Sequence, residues 1–207
     1  MTKNKISALP QLSNLFLLLI VATFLSCTGG NKEKEKLPAA NQEQVVQKQT
    51  EPSPSLLQEA SRGEFEKVNG LLEKGANVNE KDADGRTALM YASFEGYNPV
   101  VKTLLSHNAN VNSLDINGRS ALMFAASGPF PETVKILLEN GAIPDIQDKE
   151  EHFTALMFAA AEGQLENIQI LVEYGANPNL KDIDGEDALL FAQNNGHTEV
   201  AKYLKKL

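Results

Sequence analysis

One block of sequence occurs four times along the chain at a nearly constant distance, and this regularity restricts the fold more than any other feature. The block reads DGRTALM at 84–90, and its copies begin at 117, at 154 in a shortened form, and at 184. A polar residue precedes the Ala-Leu pair of every copy and recurs after 33, 34 and 33 residues, at Thr87, Ser120, Thr154 and Asp187. A second block, GANVN at 75–79, recurs in phase at 108–112, 141–145 and 175–179. A repeat of this length predicts a solenoid, in which each unit buries its apolar face only against its neighbours.

Each unit contains the local signals of a turn followed by two helices. Asp-x-Asp-Gly or Asp-x-Asn-Gly predicts a turn whose Gly has a positive φ. The polar residue after it is a good N-cap for a short helix rich in small residues, such as Ala88 and Ala92, which let neighbouring helices pack closely. A second helix, for example 100–105 (VVKTLL), carries apolar side chains on one side. The residues predicted to end these second helices are Gly75, Asn108, Gly141 and Gly175.

Over residues 55–207 the chain resembles the ankyrin repeat, because the period, turn, N-cap, Ala pair, Leu-Leu pair and Gly-Ala-Asn block all recur in phase. The resemblance implies an all-α solenoid of about five helix-turn-helix units with β-turn or hairpin fingers. The units are expected at 55–79, 80–112, 113–145, 146–179 and 180–207, the first and last acting as caps. The family's Thr-Pro-Leu-His reads Thr87-Ala88-Leu89-Met90 here, so its Thr-to-His hydrogen bonds are missing. Met in place of His predicts added apolar contact in a softer stack.

The start of the chain has the order of a bacterial signal peptide: basic, then apolar, then small. Lys3 and Lys5 precede an apolar run of 11 residues at 15–25, which covers only about half of a bilayer's hydrocarbon thickness. Ser26 and Cys27 resemble the lipobox of bacterial lipoproteins, although the two residues before them depart from it. The resemblance implies cleavage before Cys27 and acylation of that Cys, for example with palmitate. Ordinary cleavage nearby and an uncleaved anchor are the alternatives.

These observations divide the chain into a signal peptide (1–26), a disordered tether (27–54) and the repeat domain (55–207). Residues 28–54 are rich in Gly, Lys, Glu, Gln and Pro and cannot bury a core. All three interpretations of the leader place the rest of the chain outside the cytoplasm. We therefore expect a protein anchored to a bacterial membrane that faces the periplasm or the cell surface.

The charge balance argues against a nucleic-acid partner. The chain has a net charge of −8, and the acidic excess lies on residues 55–207 because the tether's charges cancel. An acidic domain repels phosphate backbones. A protein partner, a basic surface on that partner and a monomeric state are the expectations that remain.

Catalytic, metal and cofactor sites are not predicted. The motifs at 82–85 and 182–185 resemble the start of a calcium loop, but Tyr91 and Phe191 stand where its acidic ligand is needed. The three His are scattered, and Cys27 lies in the leader. Non-enzymatic binding is therefore expected, as a scaffold or inhibitor-type module; a secreted or surface protein that engages host components, and more remotely an enzyme, are the alternatives.

Two irregularities interrupt the repeat. The fourth unit carries one extra residue in 148–153 (DKEEHF), which indicates either a tolerated insertion or a contact made by a longer finger. The third unit has 128–131 (GPFP) between its helices, which predicts a stiffened connection with Pro131 at the first position of the outer helix.

The positions that vary in such repeats, the finger tips and the exposed inner-helix residues, predict the binding face. Phe94, Arg119 and Phe153 are the expected anchors, and surrounding acidic groups would steer a basic surface. The alternative for the apolar finger residues Ile116 and Ile183 is that they pack between adjacent fingers. The predicted contact residues are Arg86, Phe94, Glu95, Leu114, Arg119, Lys149, Phe153, Glu162 and Glu186.

Overall fold

The computed structural model describes residues 55–207, which belong to the compact unit Pro54–Leu207. This part of the chain contains ten α-helices in five consecutive pairs, and it contains no strand beyond a single bridge between Leu114 and Ser120. The all-α repeat solenoid is thus confirmed, whereas the signal peptide, the tether and Cys27 lie outside the described residues. The helices are α1 Leu56–Ser61, α2 Phe65–Glu73, α3 Ala88–Phe94, α4 Asn98–Ser106, α5 Ala121–Ser127, α6 Pro131–Glu139, α7 Ala155–Ala161, α8 Leu165–Glu173, α9 Ala188–Asn194 and α10 Thr198–Leu204.

The helices form two layers. The first helices of the pairs, α1, α3, α5, α7 and α9, pack in sequence order as an inner layer, and the second helices stack as an outer layer. Ala92, Ala125, Ala159 and Ala192 are completely buried, so the inner helices approach closely. None of the helices in residues 55–207 has the length and apolar character that crossing a membrane requires.

The predicted N-caps of the inner helices are confirmed, and methionine completes them. The Thr87 hydroxyl accepts a hydrogen bond from the Met90 backbone N–H at 3.4 Å, and the Thr87 backbone N–H donates to the Met90 sulfur at 3.5 Å. The same reciprocal pair recurs in α5 and α7. The methionines therefore do more than add apolar contact: each supplies the acceptor that Glu or Gln supplies in an ordinary capping box.

Asparagine side chains link consecutive units just past the ends of the outer helices. Asn112 Oδ1 accepts from the Ile143 backbone N–H at 2.9 Å, and its Nδ2 donates to the Gly141 carbonyl at 2.9 Å. Asn79 makes the equivalent pair to the next unit, through the Asn110 N–H and the Asn108 carbonyl. Each link satisfies backbone groups just past the end of an outer helix, which helix geometry leaves without partners.

The turns between inner and outer helices bring aromatic rings against glycines of the preceding unit. A Cβ on Gly63 would meet the Tyr97 ring at 3.0 Å, and one on Gly96 would meet Phe130 at 2.3 Å. In the irregular third unit Pro131 is the first residue of α6, as predicted. The Asn167 amide donates to the carbonyls of Ala126 and Gly128 there, at 3.1 and 2.7 Å. The connection is therefore held by the next unit as well as by its prolines.

Each finger, the loop that precedes an inner helix, folds around one aspartate. Fingers 1 to 4 are residues 80–86, 113–119, 146–153 and 180–186. In finger 2, Asp115 Oδ1 accepts from the backbone N–H groups of Asn117 and Arg119 at 3.0 and 2.8 Å. Asp82 and Asp182 make the same two bonds in fingers 1 and 4. Gly118 has φ +81°, which this tight turn requires.

Truncating a central core residue tests the register of the stack. Leu122 in α5 is 1% exposed, so Leu122→Ala should lower the free energy of unfolding by about 2–5 kcal/mol. The matched control is Ile143→Ala, because Ile143 is 53% exposed and should change stability by less than about 0.5 kcal/mol. Denaturant melts measure both values. Equal losses in the two variants would contradict the assigned register.

Removing the finger aspartate tests the frame of the fingers. Asp115 is 4% exposed, and Asp115→Ala leaves two N–H groups without their acceptor, so we expect a loss of about 1–3 kcal/mol. Asp84→Ala, at an exposed position of the neighbouring finger, should be within about 0.5 kcal/mol of the parent. Thermal and denaturant unfolding give the comparison. A neutral Asp115→Ala would mean that the turn does not depend on its carboxylate.

Candidate functional site

The fingers are joined to one another by backbone hydrogen bonds. The Ile116 N–H donates to the Asp84 carbonyl at 2.9 Å, Lys149 to Asn117 at 2.8 Å, and Ile183 to Glu151 at 3.1 Å. Lys81 reinforces the first junction by donating from Nζ to the Leu114 carbonyl at 2.8 Å. The tips therefore form one connected edge along the stack.

Finger 3 accommodates its extra residue without breaking this edge. Asp148 Oδ1 accepts from the N–H groups of Glu151 and Phe153, each one residue further along than in the other fingers. His152 takes the left-handed conformation, with φ +60°, that a glycine adopts elsewhere. Because Glu151 still accepts from Ile183, the insertion is tolerated as a bulge. Its exposed residues 149–152 extend the surface of the finger.

The apolar side chains at two finger tips are open to solvent. Ile116 is 57% exposed and Ile183 is 54% exposed. The alternative that these side chains pack between fingers is therefore not what the structure shows, because only their backbones make that contact. These two apolar side chains are therefore available to a partner at the finger tips.

The inner helices of four units carry an aromatic side chain at the same position, and we call this set the aromatic ladder. Its rings lie four residues after each N-cap, at Tyr91, Phe124, Phe158 and Phe191. Phe94 meets Phe124 edge to face with ring centroids 6.1 Å apart, and Phe153 meets Phe158 at 5.6 Å and Phe191 at 5.0 Å. The sequence reasoning singled out Phe94 and Phe153 but missed the ladder. The signal was the aromatic at the fifth position of the block that begins with the N-cap.

Two arginines lie on the same ring of this ladder. The guanidinium carbons of Arg86 and Arg119 are 5.7 and 5.2 Å from the Phe124 centroid, within cation–π range. Arg119 is also held by Asp115, whose Oδ2 accepts from its Nε at 3.1 Å. The Arg86 Nε is buried without a hydrogen-bond partner in the described part of the chain.

Tyr91 hydrogen-bonds Oδ2 of its finger aspartate, the same oxygen that pairs with the arginine in the next unit. Its hydroxyl donates to Asp82 Oδ2 at 2.6 Å. Burial, with the hydrogen bond to Asp82 and that carboxylate's charge, raises the pKa of Tyr91 above its ordinary value, and the Arg86 guanidinium offsets part of the rise.

The structure brings three predicted contact residues together, since Arg86, Phe94 and Arg119 all contact or face Phe124. Phe153 belongs to the second aromatic cluster, with Phe158 and Phe191. The other five are dispersed: Glu95 and Glu162 follow α3 and α7 as exposed C-caps, and Leu114, Lys149 and Glu186 lie on fingers 2, 3 and 4. Whether these residues touch a partner stays a prediction.

The carboxylates of the calcium-like motifs have structural partners. Asp82 and Asp182 accept hydrogen bonds from N–H groups of their own fingers. No cluster of three or more His, Cys, Asp or Glu side chains that could hold a metal ion occurs in residues 55–207. The arrangement offers rings, guanidiniums and rigid finger tips to a ligand, which are elements of recognition.

The comparisons with known proteins agree with this architecture. No curated protein matches the chain. The family model described as Ankyrin repeats (3 copies) matches residues 39–115, 56–148, 108–182 and 156–207, and so covers all of the described residues. This chain belongs to the ankyrin repeat family.

Proposed function

We propose that this protein is a scaffold or inhibitor-type binding module, tethered to a bacterial membrane outside the cytoplasm. Ankyrin repeats are protein–protein interaction modules and are typically not enzymes. The partner would dock on the inner face, which we define as the surface formed by fingers 1 to 4 and the exposed side of α3, α5, α7 and α9.

One observation carries the choice of face: large apolar side chains stay exposed on a rigid frame there. Ile116 and Ile183 project from fingers that are hydrogen-bonded to their neighbours, and half-buried Phe94 rests on the edge of Phe124. Finger backbones that are already held in place lose little conformational freedom on binding, which favours affinity. Aromatic and Arg residues are also the types that most often dominate an interface.

The anchors differ in how firmly the fold itself uses them. Phe94 has one aromatic neighbour, whereas Phe153 lies between two rings and Arg119 is 19% exposed and paired with Asp115. Phe94 is therefore the cleanest probe of binding. Arg119 and Phe153 need a parallel measurement of stability, because their truncation also removes contacts within the stack.

The tether rests on the leader alone. The apolar run at 15–25 followed by Ser26-Cys27 has the length and order of a lipoprotein signal, and several acyl chains would anchor the domain stably. The remaining 27–54 segment would give the domain reach from the membrane. A monomeric state is part of the proposal.

Replacing the acylated residue tests the tether. Cys27→Ala should release the protein from the membrane fraction or stop its processing, because no thiol remains to carry the lipid. Thr28→Ala, one residue further on, is the matched control and should process normally. Fractionation and intact-mass measurement report both. Unchanged mass and unchanged membrane attachment in Cys27→Ala would exclude the lipoprotein proposal.

Truncating the anchors tests the inner face. Partners would be isolated by crosslinking the full chain in membranes of the source bacterium, and Phe94→Ala should then weaken binding by about 2 kcal/mol, or about thirtyfold. Phe65→Ala is the control, since Phe65 is a 39%-exposed aromatic on the outer helix α2. Arg119→Ala and Phe153→Ala complete the set. If all three variants stay folded and bind within about twofold of the parent, the site lies elsewhere, with the outer helices as the next surface to test.

A further inference from the structure

We propose that Arg86 is a receptor for an Asp or Glu side chain of the protein partner, left available because Tyr91 occupies Asp82. The inference rests on the proposed function, since it names the partner chemistry that the inner face selects. The inference also sets the orientation of the partner on the inner face. The acidic group of the partner lies over units 2 and 3, and its basic groups lie over fingers 3 and 4.

Units 2 and 3 are almost the same, and their difference isolates the cause. In unit 3, Asp115 anchors the finger through Oδ1 and pairs with Arg119 through Oδ2, at 3.1 Å. In unit 2, Asp82 anchors the finger in the same way, but its Oδ2 accepts the Tyr91 hydroxyl at 2.6 Å. The residue equivalent to Tyr91 in unit 3 is Phe124, which has no hydroxyl to compete.

Arg86 makes no ion pair with a carboxylate in residues 55–207, and its contact with a polar side chain is with Tyr91. The side chain is half-buried, its Nε is buried without an acceptor, and its guanidinium carbon lies 5.7 Å from the centroid of the Phe124 ring. A planar guanidinium matches a carboxylate with two parallel hydrogen bonds, so an acidic side chain is the ligand that best satisfies it.

The neighbouring surface makes this cation more selective. Arg119 lies on the same ring but forms an ion pair with Asp115. Of the two guanidiniums, Arg86 is therefore the one that has no carboxylate partner in residues 55–207. Half-burial of Arg86 reduces the screening of its charge by salt and water. Half-buried Phe94, on the edge of the same ring, offers an apolar contact beside it.

The other end of the inner face has the opposite character. Fingers 3 and 4 and the end of α7 carry more carboxylates than cations, and the carboxylates at issue are Glu150, Glu151, Glu162 and Glu186. A basic segment would be steered there. A partner with an acidic residue at one end and basic residues at the other thus complements the whole face in one orientation.

The experiment selects ligands without assuming a partner. Random peptides displayed on phage are selected for binding to the full chain in detergent. Selected peptides that bind Phe94→Ala more weakly are synthesised with amidated C-termini, so that only side chains supply carboxylates. We expect these peptides to contain Asp or Glu, followed or preceded by Lys or Arg. Arg86→Gln should weaken their binding about tenfold or more, whereas Lys135→Gln, an exposed cation on the outer helix α6, should not.

A second variant tests the cause while leaving Arg86 in place. Tyr91→Phe copies unit 3, so Asp82 Oδ2 becomes free to pair with Arg86, and binding of the acidic peptides should fall although the fold is kept. Tyr174→Phe, at a partly exposed tyrosine after α8, is the matched control and should bind normally. Thermal melts of all variants confirm that they are folded.

The outcomes separate the two proposals. Peptides that depend on Phe94 but contain no acidic side chain, or that bind Arg86→Gln and Tyr91→Phe as tightly as the parent, overturn the role of Arg86 and leave the inner face as the binding site. A selection that yields no peptide sensitive to Phe94→Ala overturns both. Acidic peptides weakened by both Arg86→Gln and Tyr91→Phe, and by neither control, establish the inference.

Discussion

The close packing of the inner helices is the constraint on which the remaining features depend. Ala92, Ala125, Ala159 and Ala192 have no exposed surface, and only a methyl group at these positions lets successive helices approach as they do. This separation sets the distance between fingers and so permits the backbone hydrogen bonds between them. Because units contact only their neighbours, the same spacing is propagated along the stack.

Polar links of modest individual strength complete this frame. The Asn112 amide and the Met123 sulfur each satisfy backbone groups that a helix end leaves without partners. A thioether is a weak acceptor, so the methionine caps contribute less than a Glu cap would. The asparagine links act between units, just past the ends of the outer helices. The stack thus combines weak local caps with polar connections from unit to unit.

Features encoded within one unit could be predicted from the sequence, and features that need two units could not. The N-caps, the turn glycines and the position of Pro131 follow from local backbone chemistry, and the structure has them as expected. The contact of Phe94 with Phe124 and the two arginines on Phe124 exist only after units 33 residues apart are placed side by side. The different partners of Asp82 Oδ2 and Asp115 Oδ2 could not be predicted, because a turn motif indicates only that one carboxylate oxygen accepts the backbone hydrogen bonds of the turn.

A repeat frame of this kind acquires specificity from its departures from regularity. Where every unit is satisfied internally, as Arg119 is by Asp115, the surface offers a ligand little beyond shape. A single hydroxyl on Tyr91 changes the pairing in one unit and leaves a guanidinium without its carboxylate, while the backbone of finger 1 keeps the same hydrogen bonds as finger 2. Recognition and stability are therefore carried by different atoms of the same aspartate: Oδ1 holds the finger, and the partner of Oδ2 decides whether the neighbouring arginine has a carboxylate partner within the stack.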